Sequence, residues 1–240
     1  MNGLRTMNDT NTLKQLLTPY DVGHTKVHIG PEEDGGYVIS YDCLEKTDAV
    51  YSLGVGEVCG FDVELANKGY KVYQYEAAHA KPFVDHENFV YKQMFMTGDN
   101  FSQELISNGH EGKTLMLSMD IEGGEYDLII KTPIEVLDQF NQIAFEIHDV
   151  LFNPNVETIL RKLEERFVLT HIHANNNCIR FGAYSSGMKD DVPNVLELTY
   201  INRRDITVEP TVSKQKCPDP NLDFKNQFDL PEVELKWWLS

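Results

Sequence analysis

Apolar runs and polar breaks alternate along this chain at intervals that predict strands separated by short helices. The clearest run is Thr114–Met119, uncharged and apolar, the pattern of a strand buried on both faces of a parallel sheet. It leads into three acidic residues around a glycine pair, Asp120-Ile-Glu122-Gly-Gly-Glu125, and then into a helix-like Tyr-Asp-Leu-Ile-Ile. Further strands are predicted at Ala49–Leu53, Lys71–Glu76, Phe89–Phe95, Gln142–His148, Val168–Asn176 and Asn194–Ile201. Between them, helices are predicted at about Phe61–Asn67 and Phe101–Asn108, and after the Gly-Gly turn in a stretch interrupted near Pro133 that resumes through Leu137. Thr158–Phe167 has the spacing of a charged amphipathic helix with Ile159, Leu160, Leu163 and Phe167 facing inward.

Ahead of these units, residues 1–10 are polar and read as loose. A helix over Asn11–Leu17, capped by Asn or Thr, is stopped by Pro19. Lys26–Gly30 and Tyr37–Ile39 read as short strands joined through Pro31-Glu-Glu-Asp34-Gly35-Gly36, where the glycines permit a tight turn or close approach to a ligand. No helix separates Val168–Asn176 from Asn194–Ile201, only a Gly/Ser loop, so those two strands should pair antiparallel. The tail from Thr211, ending with Trp237 and Trp238, reads as a strap packed on the domain, with a partner-binding tail as the alternative. The chain is thus expected to be a single domain, with a helical extension (1–24), a core (25–202) and the strap (203–240). The expected fold is α/β: a seven-stranded Rossmann-like sheet, mostly parallel with a C-terminal antiparallel strand and helices on both faces.

Charge narrows the partners. The chain has 21 lysines and arginines against 38 aspartates and glutamates, a formal net charge of −17. Phosphate backbones and anionic membrane surfaces repel such a chain, so nucleic acid is not expected as a partner. No run reaches the roughly 18 apolar residues of a membrane span, and the N-terminus lacks a signal-peptide core, so membrane insertion is not expected and a cytoplasmic location is. Cys43, Cys59, Cys178 and Cys217 have no CxxC spacing; they read as reduced thiols, without a zinc site.

In open α/β sheets, ligands bind just beyond the carboxyl ends of the strands. Asp120 sits at such an end, where an unpaired charge is costly unless a ligand, metal or hydrogen-bond partner uses it. Capping of the next helix is the plainer role for Asp120 and Glu122. A second such end is Leu53-Gly54-Val-Gly56-Glu57, where a buried strand runs through Gly-x-Gly into a helix. The next strand ends in Glu76, about 20 residues after the second glycine, where nucleotide sites place an acid for ribose hydroxyls. This combination does not separate a dinucleotide from S-adenosylmethionine. Asp99, in the loop Met96–Asn100, is a candidate for the adenine edge.

Five α/β units with a terminal antiparallel pair match the plan of a class I methyltransferase; a nicotinamide domain usually continues in parallel and needs a second substrate domain. Asp120-Ile-Glu122-Gly-Gly-Glu125 resembles the Asp-x-Glu-Gly-x-Glu signature of the FkbM-like methyltransferases. Asp34-Gly-Gly-Tyr37, Phe145-Glu-Ile-His148, His171-Ile-His-Ala-Asn-Asn176 and Pro193-Asn-Val-Leu-Glu-Leu-Thr-Tyr200 are similar to a subgroup of that family, and the resemblance covers roughly residues 25 to 202. The first family motif, commonly Asp-x-Gly-Ala-Asn-x-Gly, is replaced here by Ser52-Leu-Gly54-Val-Gly56-Glu57, which lacks the early acid; Glu57 is the candidate to compensate.

The resemblance implies S-adenosylmethionine-dependent O-methylation of a hydroxyl on a sugar, glycan or natural product. A sugar hydroxyl is a poor nucleophile and needs a base or a metal. His148 or His173 is a candidate base, since imidazole titrates near neutral pH. Asp120, Glu146 and His148 form a candidate set for a hard divalent cation, magnesium or manganese. A hydrogen-bonded polar network is the alternative for Glu146 and both histidines, and His171 reads as structural. Gly54 and Gly56 would admit the cofactor, Glu76 would hold its ribose, and Asp120 would lie beside the transferred methyl. An NAD-dependent oxidoreductase, using the same glycines and Glu76, and a non-catalytic scaffold on this fold are the rival readings.

Overall fold

The uncharged run before Asp120 forms a strand in which all five residues of Leu115–Met119 are buried, as expected for the middle of a sheet covered on both faces. In the computed structural model, which describes residues 6–179 and 188–239, seven strands make one sheet: β1 (Ala49–Leu53), β2 (Val72–Glu76), β3 (Phe89–Gln93), β4 (Leu115–Met119), β5 (Phe140–Ile147), β6 (Phe167–Ala174) and β7 (Leu196–Asn202). Their spatial order is β3-β2-β1-β4-β5-β7-β6. Neighbours from β3 to β5 pair in parallel. β7 is inserted between β5 and β6 and is antiparallel to both. This is the mostly parallel, Rossmann-like seven-stranded sheet expected from the sequence, with its antiparallel strand β7 one place in from the edge.

Period two sorts the strand residues to two faces. Ala49, Tyr51 and Leu53 of β1, with Leu115, Leu117 and Met119 of β4, join the larger core. That core lies under α1 (Thr10–Leu16), α3 (Phe101–Ser107), α4 (Glu125–Lys131) and α5 (Val156–Glu164). Val50, Val72, Met116 and Ala144 point the other way, against α2 (Gly60–Asn67) and the antiparallel hairpin Lys26–Ile29/Tyr37–Ser40. Gln142 of β5 anchors the hairpin by accepting from the Ser40 N–H at 2.9 Å and donating to its carbonyl at 3.2 Å.

Local differences from the sequence expectation have local causes. The cap of α1 is Asp9, whose carboxylate accepts from the N–H groups of Asn11 and Thr12. α5 ends at Glu164 because Phe167 pairs with Asn202 and opens β6. β3 is an edge strand that stops at Gln93, leaving Phe95 exposed. The predicted Gly/Ser loop falls largely outside the described residues.

After β7 the chain returns across the molecule. Thr211–Val212 pairs with Tyr20–Asp21, and Cys217 and Leu235 exchange backbone hydrogen bonds at 3.0 and 2.8 Å. Val233 and Leu235 are buried, while the Trp237 and Trp238 indoles donate to the carbonyls of Lys14 and Gln215. The tail therefore lies as a strap over α1 and the β6 side. Cys43, Cys59 and Cys217 are buried free thiols. Among the described residues, no helix is long and apolar enough to cross a membrane.

Candidate active site

Beyond the carboxyl ends of β1, β2 and β4 a cleft of about 450 Å³ opens, as the fold requires. Its floor is made by backbone. The Asp120 N–H donates to Leu53 O at 2.9 Å, and the Gly54 N–H donates to Tyr75 O at 2.9 Å. Gly54 has φ +83°, and a Cβ there would lie 1.7 Å from the Asp120 carbonyl oxygen, so only glycine fits. A Cβ on Gly56, in contrast, would meet nothing within 4 Å; that position simply borders the open cleft. Glu57 stands exposed on the rim. Glu76 lines the cleft and accepts from the Ala78 N–H at 2.5 Å, and Met94, Phe95 and Met96 supply an apolar wall.

Asp99 is not there. It lies outside the cleft lining, its side chain 74% exposed and paired with Lys131 at 2.7 Å. The residues beside the cleft in this loop are Phe95 and Met96, and the chain turns outward after Met96, which sets the expected adenine contact of Asp99 apart from the cleft. Asp62, which the sequence did not single out, lines the cleft from the first turn of α2 and accepts from Gln74 at 2.8 Å. Burial raises its carboxyl to about 6.

The other end of the site is a continuous polar network. His148 Nε2 lies 2.9 Å from Glu146 Oε1, 3.5 Å from Glu122 Oε2 and 3.9 Å from Asp120 Oδ1, and its Nδ1 lies 3.5 Å from Glu125 Oε1. Glu146 also accepts from Asn175 at 2.7 Å. The set Asp120, Glu146 and His148 expected from sequence is therefore brought together, with Glu122 and Glu125 added. The backbone is forced to do it: Glu122 and Asp149 both adopt left-handed conformations, at φ +52° and +59°. Tyr126 fixes the end of β5 by donating to the His148 carbonyl at 2.5 Å.

His173 occupies a different place. It is 2% exposed, its Nδ1 lies 2.8 Å from Glu197 Oε2 on β7, and its Nε2 lies 3.6 Å from Glu232 Oε2 of the strap. Asn226, also from the strap, donates from one Nδ2 to Asp34 Oδ1 at 3.1 Å and Glu197 Oε1 at 2.6 Å. His171 pairs with the strap's Asp223 at 2.7 Å.

Electrostatics bear on the candidate bases. Burial opposes charge on His148, yet Glu125 and Glu146 overcome it and push the imidazole up to about 11. His173 behaves alike: burial is outweighed by Glu197 and Glu232, which hold it well above the usual value. The carboxylates beside both rings thus favour the protonated form, which has no lone pair to accept a proton. Asp120 shows the reverse, its carboxyl raised by burial and by Glu146. One Asp120 oxygen, Oδ1, is buried without a hydrogen-bond partner, while the residue lines the cleft.

Metal-ligating atoms gather in three groups among the described residues, each within 4.8 Å: Asp120, Glu122 and His148; Asp34, Glu146 and Glu197; and, under the strap, His171, Cys217 and Asp223. Asp34 and Glu197 were present in the sequence motifs but had no assigned role. A carboxylate inside the apolar β7 run Leu196-Glu-Leu-Thr-Tyr was the available signal. Asn226 and Glu232 had none, because only the return of the strap brings them in.

No protein-family profile matches the chain, and no curated protein matches it. Solved structures do align. A Listeria monocytogenes protein provisionally described as an S-adenosylmethionine-dependent methyltransferase is 11% identical, over 66% of this chain and 91% of its own, at a TM-score of 0.39. A Lactococcus lactis protein provisionally described as a hemolysin is 14% identical, over 67% and 81%, at 0.42. A chain of a fibrillarin/Nop5p complex is 11% identical, over 77% and 98%, at 0.40. Scores at this level carry no functional information.

Proposed function

We propose that this protein is an S-adenosylmethionine-dependent O-methyltransferase acting on a hydroxyl of a small molecule, sugar or glycan. The observation that carries the reading is the convergence, on one cleft, of the Gly54 turn, the Glu76 carboxylate and the Asp120–Glu125 acidic turn. S-adenosylmethionine supplies, when bound, a methyl group activated as a sulfonium. The cleft fits such a cofactor on its own features. The Gly54 turn leaves the floor free of side chain, Glu76 stands where ribose hydroxyls need an acceptor, and Phe95 and Met96 offer apolar surface for a base. Glu57 and Asp62 are the acids available to an amino group where the family's early acid is missing.

The remaining residues serve the acceptor. Asp120 is the group of this network that faces the cleft; with its carboxyl raised to about 8 it takes the acceptor's proton only in its ionised form, so turnover should rise with pH toward 8. His148 and His173 are positioning residues, buried cations that keep Glu146 and Glu197 in place. Preference for a hydroxyl acceptor rests on the resemblance to FkbM-like enzymes and on this supply of carboxylates. A net charge of −17 favours an uncharged or cationic acceptor over nucleic acid.

Calorimetric titration with S-adenosylhomocysteine and, separately, with NAD tests the reading. Micromolar binding of the former with none of the latter is the expected result. NAD binding alone would replace the reading with an oxidoreductase, although the antiparallel β7 between β5 and β6 is not the continuation expected of a nicotinamide domain. Binding of neither would favour a scaffold.

A further inference from the structure

We propose that Asp34, Glu146 and Glu197 form the seat of a hard divalent cation, magnesium or manganese, closed from above by Asn226 of the strap. The three carboxylates come from the hairpin, β5 and β7, and each offers an oxygen within 4.8 Å of the others. Glu146 faces His148 at 2.9 Å and Glu197 faces His173 at 2.8 Å, and a cation among the three would offset the charge that these two rings leave. Three carboxylate oxygens with no sulfur or nitrogen are the donors that magnesium and manganese prefer, and Asp34 opens the group to the cleft.

A further observation points to a missing ligand. Asn226 is 5% exposed, and its amide is aimed at this group: Nδ2 bridges Asp34 and Glu197 while Oδ1 has no partner. The two N–H donors stand where a cation would satisfy the same oxygens. A half-turn of the amide would place the partnerless Oδ1 there as a fourth oxygen. Native interiors leave few buried polar atoms without a hydrogen bond, and this one lies on the residue that bridges the group.

The neighbouring group of Asp120, Glu122 and His148 is the weaker seat. Glu122 is 84% exposed, and His148 Nε2 is already 2.9 Å from Glu146. The structure thus divides the donors expected from sequence, assigning Glu146 to the cation and leaving Asp120 to the cleft. A role for the cation in lowering the acceptor's pKa rests on the methyltransferase reading; its binding does not.

Manganese binding by the full chain, followed by electron paramagnetic resonance and calorimetry, tests the seat. One ion per chain, displaced by magnesium, is expected. Asp34→Asn and Glu197→Gln should each weaken binding by at least about tenfold, whereas Glu122→Gln should change it by less than about threefold. Asn226→Asp, which adds a fourth carboxylate, should tighten it. Circular dichroism and S-adenosylhomocysteine affinity on the same variants separate loss of the seat from loss of the fold. If Glu197→Gln fails to fold because His173 loses its partner, Asp34→Asn on the exposed hairpin turn decides. No manganese binding by the wild type at millimolar concentration, or loss in Glu122→Gln with retention in Asp34→Asn, would overturn the proposal. Manganese binding without S-adenosylhomocysteine binding would keep the seat and remove the methyltransferase reading.

Discussion

The two ends of the cleft are held by different forces. At the proposed cofactor end, one continuous passage from Ala49 to Glu76 supplies the strand, glycine turn, helix and terminal acid, and the Gly54 turn lies backbone against backbone on Asp120. At the proposed acceptor end, Asp34, Asp120, Glu146 with His148, His173, Glu197 and Asn226 with Glu232 arrive from six separate segments and are held by charge and hydrogen bonds. The fold at the first end should fail when volume is added where the Gly54 turn meets Asp120, and should tolerate changes of charge, which act there on binding. The fold at the second should tolerate small changes of volume and fail when a charge is removed.

The largest effect is expected at Gly54. In Gly54→Ala the new methyl would overlap the Asp120 carbonyl, and φ +83° is unfavourable for any L side chain. β1 or β4 would have to move, at a cost of about 3 kcal/mol or more. Urea denaturation should show that loss or outright failure to fold. Gly56→Ala, with open space around its Cβ, should fold normally and affect only cofactor affinity. Equal destabilisation by the two would break the distinction.

Next in size is a charge removal that leaves shape nearly intact. His148→Gln deprives Glu146 and Glu125 of their shared cation, and taking one partner from a buried pair costs about 3 kcal/mol. The sign with pH is fixed. A histidine raised to about 11 in the native state from an unfolded value of about 6.5 contributes its full stabilisation below pH ~6.5. That contribution is lost as pH rises through 6.5 toward 11. Wild-type stability should fall across this window and the variant's should be flatter. Parallel curves would show that His148 is not the held imidazolium described above.

The same division governs what could be read from the sequence. The strands, the antiparallel last pair and the cofactor end follow from local patterns, because periodicity, glycines and a strand-end acid lie next to one another in the chain. Asp120, Glu146 and His148 were also legible as strand-end groups. His173 was legible as a polar residue on a buried strand, but not its state, which depends on Glu197 24 residues away and on Glu232 of the strap. Asn226 and Glu232 belong to a Pro- and Lys-containing tail with no periodic signal, and only tertiary return of the chain gives them a role. Asp99 is the converse case: an acid in a loop at the right distance along the chain, turned outward by one bend.

The smallest effects discriminate most finely, because they contrast two acids near the same end. Glu76 lines the cleft at the end of β2, and a charged acceptor for ribose hydroxyls is worth about 1.5–3 kcal/mol. Glu76→Ala should therefore weaken S-adenosylhomocysteine binding by about 10- to 150-fold by calorimetry. Asp99→Ala removes only an exposed carboxylate from Lys131, which keeps Asp127 at 2.8 Å. Such a surface pair is worth well under 1 kcal/mol, and cofactor affinity should change by less than about twofold. A large effect of Asp99→Ala would mean that the Met96–Asn100 loop folds back over the cleft when the cofactor binds, and the adenine contact expected from sequence would return. No effect of Glu76→Ala would place the ribose elsewhere, and the cofactor end would lose its one charged anchor at β2.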